Sequence, residues 1–209
     1  MTVNIFENSH DKKPYTTSLE KVIEMIKTSP LLEDYTNTAR SFLFSRQFDS
    51  YYLIKHTKFP AFAPAGILDG GKKKQNLIGL TGICFMKTKD TSLYQLKSNM
   101  MKLKNNPNVL LAYRTISGRG LHIFVPYTIE DNEPGEALMN TPGAILDTYQ
   151  MVHDDISNYF TSQLGIETNI GHSKAHELCS VSFDAAAYVN YDAVPITIRF
   201  DYYDALPLK

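Results

Sequence analysis

NVLLAYRTISGRGLHIFVPY, residues 108–127, is the stretch on which the fold reading turns. Two apolar runs rich in β-branched and aromatic residues, 108–116 and 121–127, flank the four residues Ser117-Gly118-Arg119-Gly120. A glycine-containing turn of that length between such runs predicts an antiparallel hairpin. Upstream, LIGLTGICFMK (77–87) is a long apolar run with few turn signals, as expected of one buried central strand. Asp90 is placed to cap the next helix, whose inward positions read as Leu93, Leu96, Met100 and Leu103. Downstream, Thr141 and Pro142 open a long helix with Ile145, Tyr149, Val152, Ile156 and Tyr159 or Phe160 as its apolar stripe. Gly165 fits its C-terminal stop. LCSVSF (178–183) reads as the next strand, and VPITIRF (194–200) alternates well enough to be another.

From residue 77 the order is therefore β-α-β-β-α-β, an α+β ferredoxin-like or RRM-like split unit. That topology puts the first strand in the sheet centre, antiparallel to the third. It makes Lys87 and Lys89 neighbours of His122 and brings the residues just before Leu178 to the same edge. Residues 1–50 read as an N-terminal arm and helices packed on this core, and residues 51–209 as the main domain. Residues 1–16 look like a loose arm, Thr17 with Glu20 fits a capping box, and a second helix covers about 31–46. The stretch from Tyr51 to Asn76 reads as extended and punctuated by FPAFAPAG (59–66) and DGGKKKQN (69–76).

A chain of 209 residues is long enough for one substantial core. Its net charge of −1 argues against attraction of a polyanion over the whole surface, but leaves room for a local basic site. There is no apolar run of about 18 residues, so no membrane span is expected. The opening MTVNIFENSHDKK has no apolar core of a signal peptide. The two cysteines, Cys84 and Cys179, sit in apolar runs and read as buried thiols of a cytoplasmic protein.

Four segments carry a family resemblance: KHTKFPAFAPAG (55–66), LTGICFMKTKD (80–90), YRTISGRGLHIFV (113–125) and LCSVSFDAAAYVNYDAVP (178–195). Together they resemble the N-terminal domain of virulence-associated E-type (VirE) or BT4734-like proteins, with SGRGLH the most specific piece. The resemblance implies membership of the archaeo-eukaryotic primase superfamily, common in Bacteroidetes and their mobile genetic elements. It implies a primase-polymerase core of the same β-α-β-β-α-β kind and, in active members, nucleotidyl transfer for DNA replication with magnesium or manganese. Active members end the first core strand with two acids separated by one residue. They carry a histidine after the glycine-rich turn and a third acid before the last core strand. Here the acid pair falls on Lys87 and Lys89, the third acid on Asn169, and a customary basic residue on Glu177. The turn histidine is kept as His122.

Two-metal catalysis needs carboxylates to gather the ions. A protonated lysine has no lone pair, and one unit-charge repulsion at 4 Å costs about 4 kcal/mol at an effective dielectric near 20. A pseudoenzyme with no metal cofactor is therefore expected, with magnesium or manganese relevant only to residual activity. Asp90 and Asp184 are the nearest substitute acids; the first reads better as a helix cap and the second as a turn former. A phosphate or nucleotide site is expected from Lys87, Lys89, Ser117, Gly118, Arg119, Gly120 and His122, against the plainer reading of a hairpin turn beside a solvated strand end. Lys72-Lys73-Lys74 reads as a soluble loop before a phosphate contact, and the tyrosines Tyr51, Tyr52, Tyr202 and Tyr203 as packing before base stacking. His172, His176 and Cys179 have a spacing that suits zinc but lack a second ligand pair. Three functions follow: an inactive primase-like domain binding nucleotide or nucleic acid, a protein-interaction scaffold on the same fold (with a replication protein as partner), and a residually active nucleotidyltransferase.

Overall fold

The computed structural model describes residues 1–130, 141–168 and 174–199. In chain order the N-terminal part holds β1 (Thr2–Phe6), β2 (Tyr15–Ser18), α1 (Leu19–Thr28), α2 (Pro30–Phe44) and α3 (Phe48–Thr57). β3 (Ala61–Ala63), β4 (Gly66–Leu68), β5 (Leu77–Leu80) and β6 (Ile83–Lys87) follow, then α4 (Leu93–Lys104), β7 (Leu111–Arg114) and β8 (Leu121–Glu130). α5 (Pro142–Leu164), β9 (Cys179–Ser180), β10 (Tyr188–Val189) and β11 (Ile196–Arg199) complete the described elements. Among the described residues the architecture is α+β, with five α-helices and largely antiparallel sheets.

The helices begin where side-chain acceptors stand. Ser18, Ser29, Ser92 and Thr141 each accept a backbone N–H of the first turn, and Pro30 and Pro142 occupy first positions where no N–H is needed. Gly165 closes α5 with φ of 60°, in the left-handed region. Ser92 takes the capping role expected of Asp90.

β7 and β6 flank β8 antiparallel, so the 117–120 turn does close a hairpin, but the central strand is β8, and β6, expected in the centre, has β8 as its one ladder partner among the described residues. Side chains of this sheet alternate between two cores. Cys84, Met86, Ala112, Ile123 and Val125 face α4 and α5, where Leu103, Val152, Ile156 and Phe160 cover them. Ile83, Phe85, Leu111, Tyr113 and Phe124 face the other way, against Val3, Ile5 and the buried sides of α1 and α2. Both faces are buried, which explains the near-continuous apolar runs.

Several further expectations are corrected. The 77–87 run is two strands, because Gly82, at φ of 81°, turns the chain after Thr81, whose hydroxyl donates to the Pro64 carbonyl. β5 then pairs with β4, and β6 with β8. The segment 178–183 is not a partner of β6: only Cys179 and Ser180 are strand, and they pair with β3 in a separate sheet of order β2-β1-β3-β9. The free edge of β6 is met by the Tyr149 phenol of α5, which accepts the Phe85 N–H at 3.0 Å and lies 3.4 Å from its carbonyl. Residues 2–6 are not a loose arm but the centre of that separate sheet, between β2 and β3. Residues 51–57 are helical, as the last part of α3. Leu93, the first residue of α4, is exposed, about one turn before the first buried residue, Leu96. No helix among the described residues is long and apolar enough to cross a membrane.

Candidate functional site: a cationic cleft between the sheets

In the β6–β8 pairing Lys87 stands directly opposite His122. Position 87 shares its face with Ile83 and Phe85, and 122 with Phe124, so both side chains project from the sheet end toward the N-terminal elements. There the two sheets diverge and leave a cleft of about 240 Å³. α3 forms the opposite wall and contributes Tyr51 and Lys55, one helical turn apart. Ser117 of the hairpin turn, Glu177 and Leu178 just ahead of β9, and Ser180 of β9 line the rim.

The floor is rigid. The buried His122 ring packs edge-on against Phe85 and Tyr113, with centroids 5.5 and 5.0 Å away. Its Nδ1 lies 3.4 Å from the Sγ of Cys179, which also lies 3.1 Å from the Tyr113 hydroxyl. Burial pushes the Cys179 thiol well above its ordinary pKa, so it stays protonated and serves as a packing and hydrogen-bonding group.

The walls are electrostatically biased. Lys55 has its pKa lowered, first by burial and then by the positive charge of Lys87, with Asp90 opposing in part. Two ammonium groups are thus held near one another across the opening, and Glu177 is the carboxylate among the lining residues. His56, next on α3, is lowered by burial and by Lys55, and its Nδ1 is 2.9 Å from the Ser9 hydroxyl of the β1–β2 loop. The Lys72 ammonium donates to the Ser9 carbonyl, tying the 69–76 loop to the same corner.

The hairpin turn is internally latched. Gly118, at φ of 71°, donates its N–H to the Thr115 carbonyl, Arg119 N–H reaches Ser117 Oγ, and Gly120 N–H reaches Thr115 Oγ1. Arg40 of α2 donates to the carbonyls of Ile116 and Thr115, clamping the turn from outside. The turn therefore offers the cleft the Ser117 side chain more than its backbone donors.

A family model described as BT4734-like, N-terminal domain, matches residues 54–189. The chain belongs to that family. No curated protein matches it, and no solved structure does. In this BT4734-like domain the match takes in Lys55, Lys87, Ser117, His122 and Glu177 and begins after Tyr51.

Of the residues expected at the site, the BT4734-like domain gathers Lys87, Ser117 and His122 in one cleft. Lys89 stands apart, its ammonium 3.1 Å from Glu167 on the exposed surface. Gly118, Arg119 and Gly120 form the latched turn beside the opening. Asn169 and His172 lie outside the described residues, as do Tyr202 and Tyr203. An antiparallel bridge between Thr88 and Thr168 brings the chain ahead of Asn169 alongside the end of β6. Asp90 is 3.5 Å from the Ser117 hydroxyl, and Asp184 is buried against Arg114. Cys179 has its sulfur against His122 and Tyr113. Among the described residues no group of three His, Cys, Asp or Glu side chains is placed to hold a metal ion. Sequence reasoning missed Lys55, His56 and Ser9. The signal available was KHTK at 55–58, which opens the first of the four resembling segments but had no assigned partner across the sheet.

Proposed function

We propose that this BT4734-like domain is a primase-polymerase-like module that binds nucleotide or nucleic-acid phosphate at the cleft without supporting nucleotidyl transfer. The observation that carries the reading is the pair Lys55 and Lys87, brought from α3 and β6 to one opening beside Ser117 and His122. Two ammonium groups and a hydroxyl around a recessed floor suit phosphate oxygens, as charge-assisted donors do elsewhere. The order β6-α4-β7-β8-α5, with Lys87 opposite His122, supports the superfamily reading, in which replication of a mobile element is the setting. The described residues do not fit a divalent ion. Lys87 occupies the first ligand position, and an ammonium repels the cation that a carboxylate would hold.

The test is fluorescence anisotropy with a labelled nucleoside triphosphate and a labelled oligonucleotide at two salt concentrations. The expected result is binding that weakens with salt, with Lys87→Ala and Lys55→Ala each reducing the logarithmic salt slope by about 0.7 to 0.9. Absence of binding at low salt would reject the phosphate reading and favour a scaffold. Template-dependent primer extension with magnesium or manganese, lost in His122→Ala, would reject the loss of catalysis.

A further inference from the structure

α3 carries Phe48, Tyr51, Tyr52 and Lys55 at positions i, i+3, i+4 and i+7, which is one face of a helix. The inner part of this face, Tyr51 and Lys55, is cleft wall. The outer part, Phe48 and Tyr52, is 51% and 54% exposed. The rings of Tyr51 and Tyr52 meet edge to face with centroids 5.5 Å apart, so aromatic surface runs from the outside into the cleft. Phe44, at the end of α2 just before this helix, is 90% exposed. Arg40 and Arg119 lie close enough to Tyr51 for their charges to act on its phenol, together with Asp90. Asp49 flanks the face on the next helical position.

Exposed rings interleaved with cations, leading to an anion-suited recess, match the chemistry of stacked bases joined by phosphates. A base pair keeps its faces stacked on its neighbours, so only unpaired bases can lie on such rings. We propose that this face of α3 is a stacking platform for unpaired bases of a single-stranded nucleic acid whose backbone continues into the Lys55–Lys87 cleft. The inference rests on the cleft being a phosphate site and names its substrate as a single strand. Phe48, Tyr51 and Tyr52 precede residue 54, so the family match assigns them nothing.

The experiment measures anisotropy of the full chain with a fluorescein-labelled 20-nucleotide oligothymidylate, the corresponding duplex, and a fluorescent ATP derivative. Variants are Phe48→Ala/Tyr52→Ala, Tyr52→Phe and Tyr52→Leu, all at exposed positions. The single strand binds in preference to the duplex, and the double alanine variant weakens it at least about tenfold. Binding of the ATP derivative is unchanged in that variant. Tyr52→Phe keeps the affinity because the ring face remains, and Tyr52→Leu loses it. Equal binding by the double variant overturns the proposal, as does leucine performing as well as phenylalanine. A concentration-dependent dimer in sedimentation that the double variant abolishes also overturns it, since a second copy would then cover the face. Binding of the ATP derivative without the oligonucleotide sinks the platform and leaves the cleft reading standing. Binding of neither sinks both.

Discussion

Removing the Asp184 carboxylate should loosen the frame that holds the hairpin turn, and the structure gives the size of the effect. Asp184 is 1% exposed, yet it accepts the Arg114 backbone N–H at 2.9 Å and the Arg114 guanidinium at 3.0 Å. It also accepts from Ala186 N–H at 3.3 Å, while its own N–H donates to Ile26 at the end of α1. In Asp184→Ala the Arg114 N–H loses its acceptor, and a buried unsatisfied donor costs about 1–3 kcal/mol. The guanidinium side chain is 38% exposed, so water screens the ion pair and its loss adds only about 1 kcal/mol. Arg40 feels Arg114 as a repulsion that Asp184 offsets, so the clamp on the Thr115 and Ile116 carbonyls weakens in the same change. The expected total is about 3 kcal/mol, read in urea as a midpoint about 1.5 M lower for a slope near 2 kcal/mol/M. Asp184→Asn keeps an oxygen for the backbone N–H but puts an NH2, which cannot accept, before the Arg114 guanidinium and the Ala186 N–H, so it should cost about 1–2 kcal/mol, less than the alanine change. Asp184→Ala within about 0.5 kcal/mol of the parent, the range of an ordinary surface change, would refute the reasoning. Equal losses in the two variants would assign the effect to charge and not to the backbone acceptor.

Two further outcomes follow from close packing and from titration. A Cβ on Gly66 would stand 2.5 Å from the Ala175 carbonyl oxygen and 2.5 Å from Leu77 Cδ1, so Gly66→Ala should destabilise by about 1–3 kcal/mol in the same urea titration; an unchanged midpoint would deny that β4 packs on this segment. The pKa of Lys55 is lowered by burial and by Lys87, so its charge is lost at a lower pH than that of an ordinary lysine. Anion affinity at the cleft should therefore begin to fall on the alkaline side earlier than for a solvent-exposed lysine site. Because the unfolded chain holds that proton to higher pH, the same shift makes burial of Lys55 least unfavourable above the ordinary lysine value. Lys55→Arg, which stays charged, should flatten the alkaline limb of a binding titration; an identical limb would remove Lys55 from the site.

Local signals that depend on neighbouring residues were legible. The 117–120 hairpin, the stripe and glycine stop of α5, and the meeting of Lys87 with His122 all follow from periodicity and element order. What was not legible depended on competition between distant partners. Nothing local in LIGLTGICFMK marks Thr81 as the residue whose hydroxyl is claimed by Pro64, so the break at Gly82 reads as an ordinary glycine in a strand. The segment 178–183 has strand composition, and a topology rule sends it to β6. Tyr149 reaches that edge first, from an α5 position that periodicity identifies only as core. Residues 2–6 look polar beside SHDKK, because Asn4 interrupts the apolar pattern. Asn4 nevertheless fits a buried strand, since its amide donates to the Leu68 carbonyl and its oxygen accepts the Leu68 N–H, in the manner of a strand partner. α3 was missed because FDSYYLIKHT has rings on its outer face, where a helix in water ordinarily carries polar residues.

That last mismatch and the lysine pair have the same logic. Elsewhere in the described residues charges near the site meet opposite charges: Lys89 with Glu167, and Arg114 with Asp184. At the cleft two like charges, Lys55 and Lys87, face one another, with Glu177 and Asp90 as the acids nearby. A neutral residue at position 55 or 87 would relieve the repulsion, and polar residues at 48 and 52 would relieve the exposed rings. Neither relief is taken, and sequences depart from such local rules mainly where function imposes them. An anion seated between the ammonium groups would remove the repulsion, and bases laid on the rings would remove the exposure, so the proposed ligand of phosphates and unpaired bases would account for both departures together.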